Sequence, residues 1–277
     1  ARPTGEDIER LFDKLERIAE KNNREGRGAT VGRRLYVYVA GHGFAPRLKQ
    51  AAIFTAPATR DKTLNFWATS WVEALYARRW FEEYVLWMDC CMSFELSAVA
   101  SPAPYRETQA TGTPPKLFTA FAARRPQEAV EKQMPDGQVH GVFTWTLLQG
   151  LNGAAADDDG TITTAGLKNY LSNAMRTWLS EEELADDRIA QEPDFGSEDL
   201  IVLAGGESPT EFNAELKFES ALVGRPFVVL DGDLKQIAAG DAAGATTLQL
   251  RPGMYAVVVD GTTRQFEVLS DVRVSVG

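Results

Sequence analysis

Two tripeptides carry residue types that could do covalent chemistry, Gly41-His42-Gly43 and Asp89-Cys90-Cys91. A thiol attacks as its thiolate, and an imidazole within hydrogen-bond reach is the side chain suited to take its proton near neutral pH. A cysteine of the pair together with His42 therefore reads as a nucleophile and its general base. Glycine at 43 lets the backbone come close to a reacting carbonyl, so its N–H and that of Cys91 could serve as the two donors that hold an oxyanion. His140, the only other histidine, sits between Val139 and Gly141 with no comparable flanking pattern. Two histidines and two adjacent cysteines make no zinc set. Asp157-Asp158-Asp159-Gly160 lacks the spacing of a full calcium loop and reads as a solvated acidic turn.

These groups must be brought together by the elements that carry them. Arg34 to Ala40 is a β-branched and aromatic run that reads as a buried strand ending on the first tripeptide, and Tyr84 to Asp89 is a short apolar strand ending on the second. In an open parallel sheet, catalytic groups collect at the carboxyl ends of strands, so the two tripeptides meet if their strands are neighbours. Around them the pattern predicts a helix over 7–21, with Ile8, Leu11, Phe12, Leu15 and Ile18 on one face and Thr4 or Asp7 as cap. The polar, Pro-containing stretch after Gly43, to about Leu64, reads as irregular. An aromatic helix follows over 66–83, with Trp67, Trp71 and Trp80 as core or a partner-binding face. A third strand over 116–123, helices over 142–151 and 164–179, and a strand over 200–204 complete an alternation that implies a mostly parallel sheet flanked by helices. From about Pro209 short strands near 214–219, 226–231, 246–250, 254–259 and 264–269, separated by Gly, Asp and Pro turns, predict a small all-β sandwich. The expected domains are 1–205 and 209–277.

The two tripeptides also carry a family resemblance. Tyr38-Val39-Ala40-Gly41-His42-Gly43 is similar to the Y-x-S-G-H-G strand end of caspases, metacaspases and paracaspases, and Asp89-Cys90-Cys91 resembles their D-x-C nucleophile turn. The separation of His42 from Cys91 agrees with the roughly 50-residue gap of caspases. Gly141-Val-Phe-Thr-Trp-Thr-Leu-Leu-Gln-Gly150-Leu151 is similar to a helix of bacterial members. The resemblance covers about residues 5 to 204 and implies a caspase-like α/β fold and a cysteine endopeptidase. Cys91, third in D-x-C, becomes the nucleophile, His42 the acid/base, and Gly43 and Cys91 the oxyanion hole. Asp89 would line the pocket for the residue before the cut; the bland reading is a carboxylate capping backbone N–H groups of the turn. Gln127-Glu-Ala-Val-Glu131 resembles a segment that gives the pocket a second acid, here Glu131. Two carboxylates imply cleavage after Arg or Lys, because a buried guanidinium needs compensating charge.

The resemblance has departures. Met92-Ser93-Phe94 stands where the family often has His-Ser-Gly, and the family's first strand has no counterpart before Ile8. With the chain starting at Ala1, the expectation is a separate or cleaved N-terminal segment as a partner. Protein or peptide substrates, in bacterial members often in defence or cell-death pathways, are also implied. Some metacaspases respond to calcium, the one cofactor the resemblance brings into view. The rival reading is a catalytically inactive scaffold or regulatory binding module, with the β domain as a targeting module.

Composition bounds these readings. The 277 residues are 44% hydrophobic and 25% charged, in the globular range. With 29 Lys plus Arg against 39 Asp plus Glu, the net charge of -10 gives no support to nucleic-acid binding. Consecutive cysteines are poorly placed to pair with each other, which suits a reducing, cytoplasmic setting. No apolar run approaches the length of a membrane span, and no signal-peptide pattern appears.

Overall fold

The computed structural model describes residues 3–93, 98–105, 113–189, 191–205, 211–232, 234–268 and 270–277. Ala1, where the expectation of a missing segment begins, Phe94 of the turn after Cys91, and Pro209 at the expected domain boundary lie outside the described residues.

In chain order the elements are α1 (Gly5–Arg24), β1 (Gly32–Ala40), β2 (Gly43–Phe44), β3 (Ala52–Phe54), β4 (Asn65–Phe66), α2 (Ala68–Arg78), β5 (Phe81–Asp89) and β6 (Lys116–Phe121). Then follow β7 (Glu131–Gln133), β8 (Val139–Gly141), α3 (Val142–Gln149), β9 (Ile162–Thr163), α4 (Thr164–Ala174), α5 (Glu181–Ala185), β10 (Asp194–Glu198) and β11 (Val202–Ala204). The remaining strands are β12 (Phe212–Phe218), β13 (Pro226–Leu230), β14 (Gln236–Asp241), β15 (Ala245–Leu250), β16 (Gly253–Val259), β17 (Thr262–Val268) and β18 (Val272–Val276). Contacts group these into two compact units. One holds Ala1–Glu131 and Glu182–Ile201, the other Lys132–Glu181 and Val202–Gly277.

The first unit is built on a four-stranded sheet in the order β1-β5-β6-β10, with β1, β5 and β6 parallel and β10 antiparallel. β5 is buried from Glu83 to Asp89, as befits an interior strand of a parallel sheet covered on both faces. α1 starts with a reciprocal capping box between Thr4 and Asp7 and buries Phe12 and Ala19 in a core shared with Trp71 and Leu75 of α2 and with Tyr84, Leu86 and Met88 of β5.

Several elements differ from expectation. β1 is an edge strand, not a buried one, and its Tyr36 and Tyr38 are nearly half exposed. The stretch expected to be irregular supplies β2, β3 and β4, a small antiparallel sheet. The helix expected over 66–83 is α2 followed by the start of β5: Arg79 takes a left-handed φ of 55° and ends the helix. The Tyr84 hydroxyl fixes that reversal, accepting from Phe81 N–H at 3.1 Å and donating to Leu75 O at 2.8 Å. Burial pushes its pKa up to about 12, so it remains a neutral donor. The strand expected over 200–204 pairs with β9 and leaves the edge of the main sheet to β10, whose sequence Asp-Phe-Gly-Ser-Glu carries no apolar run.

The second unit contains a three-stranded sheet, β15-β12-β18, and a four-stranded one, β14-β13-β16-β17. Side chains from both, including Leu216, Val229, Val257 and Val274, form one buried cluster. β14 and β18 have no counterpart in the sequence reading. Residues 132–181, grouped by sequence with the first domain, share this unit. Tyr170 of α4 lies so close to Gly232 that a Cβ there would meet its ring at 2.7 Å. Trp145 Nε1 of α3 donates to Glu267 Oε1 of β17 at 2.7 Å.

That last bond generates a pH prediction. Burial, with the charge of Asp136 adding to it and the Trp145 bond opposing, pushes the Glu267 carboxyl up to about 7. The unfolded chain releases this proton near the ordinary carboxylate value, so between about pH 4.5 and 7 the folded state holds more protons and stability falls as pH rises. The loss should be about 1–2 kcal/mol, allowing for partial exposure. Denaturant melts across pH 4 to 8 should show this slope, and Glu267→Gln, which keeps an acceptor for Trp145, should flatten it.

Candidate active site

The site is set by one register. β1 and β5 run parallel with Gly32 opposite Phe81 and Ala40 opposite Asp89, an offset of 49 residues throughout. β1 leads into Gly41 and His42, and β5 into Cys90 and Cys91, so the two tripeptides lie at neighbouring strand ends. The chains stay in step beyond the strands: Gly41 N–H donates to Asp89 O and Ala45 N–H to Ser93 O, each at 3.1 Å.

Each flank is held separately. On the histidine side, β3 pairs with β2, and Phe54 N–H donates to His42 O at 2.8 Å. Gly43 itself is paired with Ile53 of β3. Gly43 must be a glycine because of close packing: a Cβ there would lie 2.7 Å from Cys90 Cβ, 2.8 Å from Cys90 Sγ and 2.8 Å from Ala52 O. On the cysteine side, Met92 N–H donates to Gln127 O at 2.9 Å, and Ala122 N–H to Met88 O at 2.8 Å, which tie the turn to the chain leaving β6.

The two thiols are unequal. Cys90 is 1% exposed, and burial, with the negative charges of Asp89 and Cys91 adding to it, pushes its pKa well above the ordinary thiol range. It is a packed core group whose thiolate is disfavoured by burial. Cys91 is half-buried, and His42, which follows the neighbouring strand, is exposed. The two strand ends thus carry one partly accessible thiol and one exposed imidazole.

The structure places Asp89 at the end of β5, 9% exposed and paired in register with Ala40, two residues before Cys91. Glu131 is exposed at the start of β7, next to Val130, whose N–H donates to Gln191 Oε1 at 3.0 Å. His140 belongs to other chemistry: its Nε2 lies 2.7 Å from Asp136 Oδ2 and its ring stacks on Trp145 at 5.1 Å. Among the described residues, no group of three or more His, Cys, Asp or Glu is arranged to hold a metal. At the acidic turn, Asp157 Oδ1 accepts from Asp159 and Thr161 N–H within its own loop. No step at this site is assigned to calcium.

Gln127 and Gln191, 2% and 0% exposed, are site residues without a signal of their own in the sequence; Gln127 stands out only as the head of a family-like segment. Buried glutamines are costly without partners, but nothing in the residue pattern marks these two as buried.

The close approach at Gly43 yields a test. Gly43→Ala should force the end of β5 away from β2, lower stability by about 1–3 kcal/mol, and slow alkylation of Cys91 by iodoacetamide at neutral pH, read by mass spectrometry of the tryptic peptide. Wild-type stability and alkylation rate would contradict the packing described.

No protein-family model matches this chain, and no curated protein matches it.

Proposed function

We propose that this chain is a caspase-like cysteine endopeptidase that cuts after Arg or Lys. The observation that carries the reading is the parallel pairing of β1 with β5, whose neighbouring carboxyl ends lead into His42 and Cys91. Ligand and catalytic groups gather at such ends in open α/β sheets. The separation of the two thiols into one inert and one accessible supports Cys91 over Cys90.

The reaction is acyl transfer. The Cys91 thiol gives its proton to the His42 imidazole, and the sulfur attacks the scissile carbonyl carbon. The oxyanion is held by the N–H groups of Gly43 and Cys91. The carbon–nitrogen bond then breaks, His42 gives the proton to the leaving amine, and a thioester remains. Water, deprotonated by His42, attacks the thioester, and the thiol and the carboxylic acid product are released. Asp89 and Glu131 supply carboxylates for a cationic side chain before the cut; a bidentate pair with a guanidinium is the strongest such contact. The strand that the family carries ahead of α1 would pair along the outer edge of β1, beside Tyr36 and Tyr38.

Profiling a diverse peptide library tests this reading. Wild type should cut after Arg or Lys, Cys91→Ala should lose at least about a thousandfold in kcat, and Asp89→Asn should lose about 10–100-fold in kcat/KM on basic substrates. Full turnover by Cys91→Ala would overturn the mechanism. An unchanged preference in Asp89→Asn would remove that residue from the pocket. A wild-type chain that cuts nothing and does not react with a basic peptidyl warhead would be the inactive scaffold.

A further inference from the structure

Two buried amides link three segments behind the nucleophile. The segment from Ala122 to Val130 leaves β6 and passes the turn of Cys91, and the Gln127 carbonyl of that segment accepts the Met92 N–H. Gln191, 0% exposed, spans it: its Nε2 donates to Ala122 O at 2.9 Å and its Oε1 accepts from Val130 N–H at 3.0 Å. The neighbouring Glu192 N–H donates to Gln127 Oε1 at 3.1 Å, and Glu128 N–H donates to Arg188 O at 2.8 Å. One side chain thus closes both ends of the loop whose middle residue holds the backbone next to Cys91. Its donor and its acceptor are each used once, on backbone groups that no hydrophobic side chain of the same size could satisfy.

From this geometry we infer that Gln191 is a positioning residue for the nucleophile, rigidifying the 122–130 loop so that the Gln127 carbonyl fixes Met92 and, through it, Cys91. Catalytic groups lose effect steeply with misplacement; about 1 Å can cost on the order of a hundredfold. The inference rests on the peptidase reading for its effect on turnover, but its effect on the thiol can be measured without any substrate.

The test uses the full chain as Gln191→Leu, which removes both bonds, and Gln191→Glu, which keeps the oxygen that accepts from Val130 and removes the hydrogens that reach Ala122. Gln149→Leu is the matched control, an equally buried amide whose Oε1 accepts from the Tyr170 hydroxyl at 3.1 Å. Three quantities are read: the melting temperature, the iodoacetamide alkylation rate of Cys91, and kcat and KM on a basic peptide. All three variants should melt lower. The Gln191 variants alone should alkylate at Cys91 at least about fivefold more slowly and lose about 10–100-fold in kcat with KM changed less than about threefold. Gln191→Glu supplies the folded variant if the leucine form does not fold. Gln191 variants that melt lower yet keep the wild-type alkylation rate would overturn the inference, whatever their turnover. If wild type cuts no peptide while the Gln191 variants still alkylate slowly, the peptidase reading fails and the positioning role stands.

Discussion

The parallel pairing of β1 with β5 is the constraint on which the rest depends, because shifting it by one residue would turn every side chain of β1 to the wrong face and carry His42 away from Cys91. Several interactions hold it. Leu35, Val37 and Val39 pack toward the core under α1 and α2. On the other face, Tyr36 stacks on Trp87 with ring centroids 5.3 Å apart. Arg34 lies directly opposite Glu83 and binds it at 2.6 Å, with side chains only 15% and 11% exposed. A pair so enclosed contributes little net stability, but a slipped register would leave the Glu83 charge buried and unpaired, which is costly.

From that register the chemistry follows in layers. Hydrogen bonds continue between the two chains beyond the strands, the absence of a side chain at Gly43 lets β2 close against Cys90, and burial disfavours the Cys90 thiolate. Behind the turn, Gln127 and Gln191 convert a loop into a fixed support by using backbone groups of three segments as partners. The apolar core positions the strands, and the buried amides position what the strands deliver. Among the described residues, no helix is long and apolar enough to cross a membrane.

Much of this was legible in the residues. Alternating and continuous apolar runs marked β1, β5 and β6, and the tripeptides at two of their ends marked the site, because strand ends and glycines have local causes. What was not legible has causes distant in the chain. β10 is polar and bears Gly196, which has no room for a side chain beside the Thr119 hydroxyl, so its place at the sheet edge is set by β6 rather than by its own pattern. The end of α2 depends on Arg79 taking a left-handed conformation that Tyr84 then fixes. The grouping of α3 and α4 with the C-terminal strands rests on pairs such as Trp145 with Glu267, 122 residues apart. Glu131 reads as a site residue only through its likeness to a motif; it is exposed on β7, next to Val130, whose N–H donates to Gln191.

If His42 activates Cys91, an arginyl peptidyl warhead should form a single adduct on Cys91 in wild type and none on Cys90, and should label His42→Ala at least about a hundredfold more slowly. Equal rates in the two proteins, or an adduct on Cys90, would contradict it.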